Sequence, residues 1–128
     1  MTDRRELAVW LYLVNASLLA AHEMDSAYWH EWDLFQLPGG IQLFLVLNVL
    51  ILLIVLYGLK QVARWRRGAK ALSYLLAAAG VFAFTIHSYF IATGHPEFRL
   101  AVSQALLVAM LLVSVAQAVV VRRCDTPQ

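Results

Sequence analysis

The chain alternates four long apolar stretches with short polar breaks. Residues 7–21 carry no charge, and the stretch extends to about residue 28 with a polar upper end. A second stretch covers about residues 41–59, after Pro38-Gly39-Gly40. A third covers about 69–93, and a fourth about 98–121, after Gly94-His95-Pro96. Glycine and proline clusters of this kind punctuate helices. Each stretch is near the ~20 residues a helix needs to cross the hydrocarbon core of a bilayer. Long continuous apolar runs favour helix over strand. The pattern predicts an all-α fold, an integral membrane four-helix bundle, with residues 1–128 forming one four-span domain.

Composition moves this reading from a buried core to a membrane. Of 128 residues, 62% are hydrophobic and 14% charged, whereas soluble domains carry about 25% charged residues. The basic start followed by an apolar run resembles a secretory signal. No small-x-small cleavage site precedes a soluble mature domain, so the stretch reads as a retained first span. The Asn15-Ala16-Ser17 sequon falls inside that span, which argues against glycosylation. The single cysteine, Cys124, excludes an intrachain disulfide and any CxxC motif. It reads as a free cytoplasmic thiol, with juxtamembrane palmitoylation as the alternative.

Charge then sets an orientation. Lys60, Arg64, Arg66, Arg67 and Lys70 fall between spans two and three, and Arg4, Arg5, Arg122 and Arg123 at the ends. The other two connections hold only Arg99. The positive-inside rule predicts both termini and the middle loop in the cytoplasm of a cell with an inner membrane. Trp29, Trp32, Tyr89 and Phe98 would form the outer aromatic belt, and Trp10, Tyr57, Trp65 and Tyr74 the inner one. The short basic loop reads as a topology determinant touching anionic lipid, with no nucleic-acid partner.

The acidic and histidine-rich segment AHEMDSAYWHEWDLF then faces the outer side. Ionisable residues in or at the rim of a bilayer are costly, and they mark functional sites by default. If span one continues as a helix at ~100° per residue, Glu23, Ser26, His30 and Asp33 share a face with His22, while Asp25 and Glu31 point elsewhere. His87 and His95 in span three repeat the His22 to His30 interval. At ~1.5 Å per residue, His22 lies ~22 Å above Leu7 and His87 ~24 Å above Ala71, which predicts that the two are level. The paired intervals also suggest a weak duplication of two hairpins.

Two histidines with a carboxylate make a normal shell for zinc, iron, manganese or copper. The leading expectation is a transition metal held by His22, Glu23, His30 and His87, with Asp33 and His95 as outer candidates. The histidines would ligate the ion, Glu23 would ligate it or act as catalytic base, and a water would be activated. The spacing is neither HExxH nor the Glu-x-x-His of di-iron bundles. The competing readings are solvated interfacial charge for His30, Glu31 and Asp33, a turn role for His95, and a purely structural polar network. Asp25 and Glu97 read as facing water or capping turns. Asn48, Ser103, Ser114 and Gln117 read as interhelical hydrogen-bonders. At the level of function, the alternatives are bis-histidine haem b between His22 and His87, metal-free acid–base chemistry on a lipid, cation transport, and a non-catalytic assembly subunit. Small size makes a homo-oligomer or a larger membrane complex plausible.

The stretches HEMDSAYWHEWDLFQLPGGIQLFLVLN and IHSYFIATGHPEFR resemble a family of small four-helix bacterial membrane proteins catalogued only as a domain of unknown function. The resemblance covers nearly the whole chain. It implies a bacterial inner-membrane location and brings no activity, substrate or cofactor.

Overall fold

The computed structural model describes residues 2–125. It contains α1 (Thr2–Tyr28), a four-residue α2 (Glu31–Leu34), α3 (Ile41–Ala63), α4 (Ala69–Ala92) and α5 (Ala101–Arg122), with no strand among the described residues. The four long helices are each long and apolar enough to cross a membrane, so the protein is a multi-pass helical bundle. Around the bundle α1 packs on α5, α5 on α4, α4 on α3 and α3 on α1, with α1 and α4 also touching across the middle. The α3 helix runs four residues beyond the predicted span, and α5 starts three residues later than expected. The residues it gives up form a loop in which Phe98 turns inward.

In lipid, apolar side chains gain little by leaving their surroundings, so helices associate through close packing and interhelical hydrogen bonds. Both are present. The α4 backbone meets α5 at Gly80, where a Cβ would collide with the Ser114 hydroxyl. Tyr12 lies against Gly58 and donates to the Val55 carbonyl at 2.9 Å, tying α1 to α3. In the lower half of the bundle Asn15 Nδ2 donates to Ser114 Oγ at 3.0 Å and to Gln117 Oε1 at 2.8 Å. Gln117 Nε2 donates in turn to the Ser73 carbonyl at 3.0 Å. This neutral chain joins α1, α5 and α4. Asn48 departs from the expected interhelical role and donates to Phe44 O of its own helix at 3.0 Å.

The α3 helix is the loose member. It buries only Phe44, Gly58, Gln61 and Val62, and most of its apolar side chains face outward, as a lipid-facing helix requires. The termini and the α3–α4 loop meet at one end of the bundle. Trp65 Nε1 donates to the Asp125 carbonyl at 3.1 Å, Lys70 Nζ to the Cys124 carbonyl at 2.6 Å, and Arg4 Nη1 to the Arg123 carbonyl at 3.5 Å. The Cys124 thiol is buried there, and burial raises its pKa.

Candidate metal centre

The site sits at the opposite end, where α1 stops. His30 takes φ 53°, a left-handed conformation that ends the helix after Tyr28. Histidine is among the few non-glycine residues enriched there. Trp29 N donates to Asp25 O at 3.0 Å and His30 N to Ala27 O at 3.3 Å, closing the last turn. The helix therefore does not continue through Trp32. The chain reverses into α2, closes with Leu37 N donating to Trp32 O at 2.8 Å, and turns at Gly39 and Gly40, both with positive φ, into α3.

This reversal carries Glu31 inward. His22 from α1, Glu31 from α2 and His87 from α4 each offer a ligand atom, and the three atoms lie within 4.8 Å of one another. The imidazole centroids of His22 and His87 are 4.7 Å apart, edge to face. His87 Nε2 is 3.5 Å from Glu31 Oε1. His22 Nε2 has only the Ser26 hydroxyl, one turn along α1, at a long 3.5 Å. His22 Nδ1 and both His87 nitrogens lack a hydrogen-bond partner among the described residues. The histidines are 2% and 1% exposed, and the Glu31 side chain is 12% exposed. Burial pushes the Glu31 carboxyl up to about 7; the Ser26 hydroxyl opposes the shift, and the Glu23 and Asp25 carboxylates add to it.

Phe98 covers the pair. It is fully buried, with its ring 4.1 Å from His87 and 5.9 Å from His22. It is thus a roof over the site instead of a member of the aromatic belt. Asp25 is another departure. It faces neither water nor a turn, but accepts from Ser103 Oγ of α5 at 2.9 Å, and Trp29 Nε1 donates to the same hydroxyl at 3.4 Å. Beside the histidines and Glu31 lies a cavity of about 360 Å³ between α1, α3 and α4, lined also by Glu23, Phe44, Asn48 and Phe82.

Of the expected site residues, the structure brings His22 and His87 together and leaves the others apart from them to differing degrees. Glu23 is half-buried and lines the cavity, outside the group of three. His30 is exposed, its ring stacked 4.9 Å from Trp32. Asp33 is exposed on α2. His95 is exposed in the α4–α5 loop, with Nδ1 3.6 Å from Glu97 Oε2 and its ring against Phe90. Helical phase points Glu31 away from the His22 face, and the helix break reverses that. The signal that could have found it is the run Tyr28-Trp29-His30-Glu31-Trp32, which crowds three aromatic rings at a helix end.

Residues 8–124 match a family of unknown function, DUF6713, and the chain belongs to that family. No curated protein and no solved structure matches the chain.

Proposed function

We propose that this protein binds one transition metal ion through His22, Glu31 and His87, at the extracytoplasmic rim of a bacterial inner membrane. The observation that carries the reading is the convergence of two buried imidazoles and a carboxyl from three helices, with ligand atoms within 4.8 Å of one another. An unpartnered polar atom in so dry a place costs several kcal/mol in the hydrocarbon region, on the order of 1–3 kcal/mol in proteins generally. An ion would engage one nitrogen of each imidazole and one carboxyl oxygen at once. Two imidazoles and a carboxylate suit zinc or iron, and three protein ligands leave a coordination position open, the arrangement of reactive sites. Ligand atoms around such an ion lie ~3–3.6 Å apart, given bonds of ~2.0–2.2 Å, so the three side chains would draw in from their observed spacing of up to 4.8 Å.

A bound ion would polarise an oxygen ligand and ease its loss of a proton. Glu23, on the cavity wall and outside the ligand set, would accept that proton. The close edge contact of the histidines, with Phe98 against both, favours a single ion over a flat macrocycle such as haem b. The basic middle loop and termini, gathered at the end remote from the site, support cytoplasmic termini and an outer-facing centre.

The test is metal analysis and a visible spectrum on protein purified without chelators, beside the double variant His22→Ala, His87→Ala. Stoichiometric zinc, iron, manganese or copper that the variant loses supports the reading. A Soret band lost in the variant turns it to haem. Absence of both from protein that also takes up no added zinc or cobalt overturns it.

A further inference from the structure

The His22, Glu31 and His87 cluster is closed toward the outer surface and open sideways. Phe98 lies over both imidazoles, and Trp29 stands beyond it with its ring centroid 6.2 Å away. Phe35 flanks His87 at 6.4 Å. The open side is the cavity between α1, α3 and α4. Glu23, Phe44 and Asn48 also line a neighbouring groove of about 540 Å³ between α1 and α3. Both volumes fall in the ~300–1,000 Å³ range of small-molecule sites.

The groove is apolar along its length, with one polar pair about a turn short of its outer end. Glu23 and Asn48 are its polar side chains; the rest is alkyl, aromatic or thioether, from Ala16 to Ala27 on α1 and from Phe44 to Val55 on α3. Its α3 lip is exposed, with Leu45, Val49 and Leu52 all facing outward. The groove therefore opens on the medium that surrounds two membrane-spanning helices, which is lipid. An ionisable side chain such as Glu23 inside a membrane-spanning helix is costly to place there and marks a ligand pathway by default. A slot of this kind, apolar along its length and polar where it meets a buried cluster, fits an amphiphile that brings oxygen atoms on a hydrocarbon chain.

We propose that the α1–α3 groove binds one acyl chain of a membrane phospholipid, whose ester carbonyl accepts from the Asn48 amide and, resting on the metal reading above, reaches the ion at His22, Glu31 and His87. The site then takes its ligand from the bilayer and not from water. The slack packing of α3 gives the chain room to enter sideways.

The test uses full-length protein in lipid nanodiscs containing phosphatidylethanolamine with a diazirine midway along one acyl chain. After photolysis, adducts are mapped by peptide mass spectrometry. Expected is labelling concentrated on α1 and α3 around Ala20, Leu45 and Val49. Val49→Trp, at a position too exposed to disturb packing, should cut it about fivefold, equivalent to ~1 kcal/mol of preference. Ala20→Trp should do the same, and Leu112→Trp on the outward side of α5 should leave it unchanged. Labelling of α5 equal to that of α1 and α3, or labelling indifferent to both groove variants, overturns the proposal. Cobalt binding is measured on the same preparations. Cobalt bound without groove labelling sinks the lipid slot alone. Groove labelling without cobalt supports the slot and sinks the metal reading.

Discussion

The bundle contains two buried polar clusters, and they differ in kind. In the lower half, Asn15, Ser114 and Gln117 match donors to acceptors across three helices, and Gln117 spends its amide on the Ser73 carbonyl. The members are neutral, and of the buried side chains that meet there only the Ser73 hydroxyl lacks a partner among the described residues. In the upper half, His22 and His87 meet edge to face with one carboxyl beside them, and three of their four ring nitrogens have no hydrogen-bond partner among the described residues. The first cluster is glue. The second brings two imidazoles and a carboxyl together at distances longer than good hydrogen bonds, with His87 Nε2 3.5 Å from Glu31 and His22 Nε2 3.5 Å from Ser26. Burial is common to both and therefore does not identify a site; the unmatched donor and acceptor inventory does.

The sharpest way to break this contrast is to exchange one residue in each cluster. His87→Ala should lower zinc or cobalt affinity at least ~100-fold, beyond the 10–100-fold typical of supporting residues. Isothermal titration in detergent reads it, and retention of wild-type affinity would contradict the contrast. Gln117→Leu should leave metal affinity alone and destabilise the fold by about 1–3 kcal/mol, because Asn15 and the Ser73 carbonyl lose their partner. Reversible unfolding in mixed micelles measures that loss.

Glu31 sharpens the comparison through pH. Its carboxyl titrates at about 7 in the fold, against an ordinary value of 4.5, chiefly because it is buried. The folded state thus holds a proton that the unfolded chain releases. The resulting stability is fully present below about pH 4.5 and is lost as pH rises through about 7. Metal affinity runs the other way, rising through the same window as the carboxylate forms. Glu31→Gln should flatten both profiles, while the Asn15–Gln117 cluster contributes to neither. A metal-free protein whose stability increases from pH 5 to about pH 8 would contradict the assignment.

Smaller effects are expected at the margins of the upper cluster. Glu23→Gln should change metal affinity less than about tenfold, since Glu23 lies outside the ligand set and acts on it through charge. A loss as large as that for His87→Ala would make it a ligand. His30→Gly should change affinity little and shift stability by less than ~1 kcal/mol, because glycine accepts the left-handed backbone that His30 now occupies. Chemical denaturation together with the same titration would show whether His30 matters beyond ending the helix.

The two clusters were unequally legible in the sequence. Ser114 and Gln117 were read as interhelical hydrogen-bonders, because a polar side chain within an apolar span has little other use. His22 and His87 were placed level by counting rise from the inner ends of their spans, and their rings touch. Glu31 was misassigned because helical phase was carried through residues 29 and 30, where the chain leaves the helix. Phe98 was placed in a belt because nothing local distinguishes an aromatic at the interface from one folded over a site.

The sequence alone determined four apolar helices of membrane-crossing length, their punctuation by Pro38-Gly39-Gly40 and Gly94-His95-Pro96, and the concentration of ionisable residues at one end. Those follow from hydropathy and backbone chemistry, which act along the chain. Only the tertiary structure decided that Glu31 and not His30 joins the histidines, that Phe98 covers them, and that the cavity opens between α1 and α3. Each depends on one left-handed residue and on how far α3 stands from its neighbours, and such cross-chain distances leave no periodic mark in a sequence.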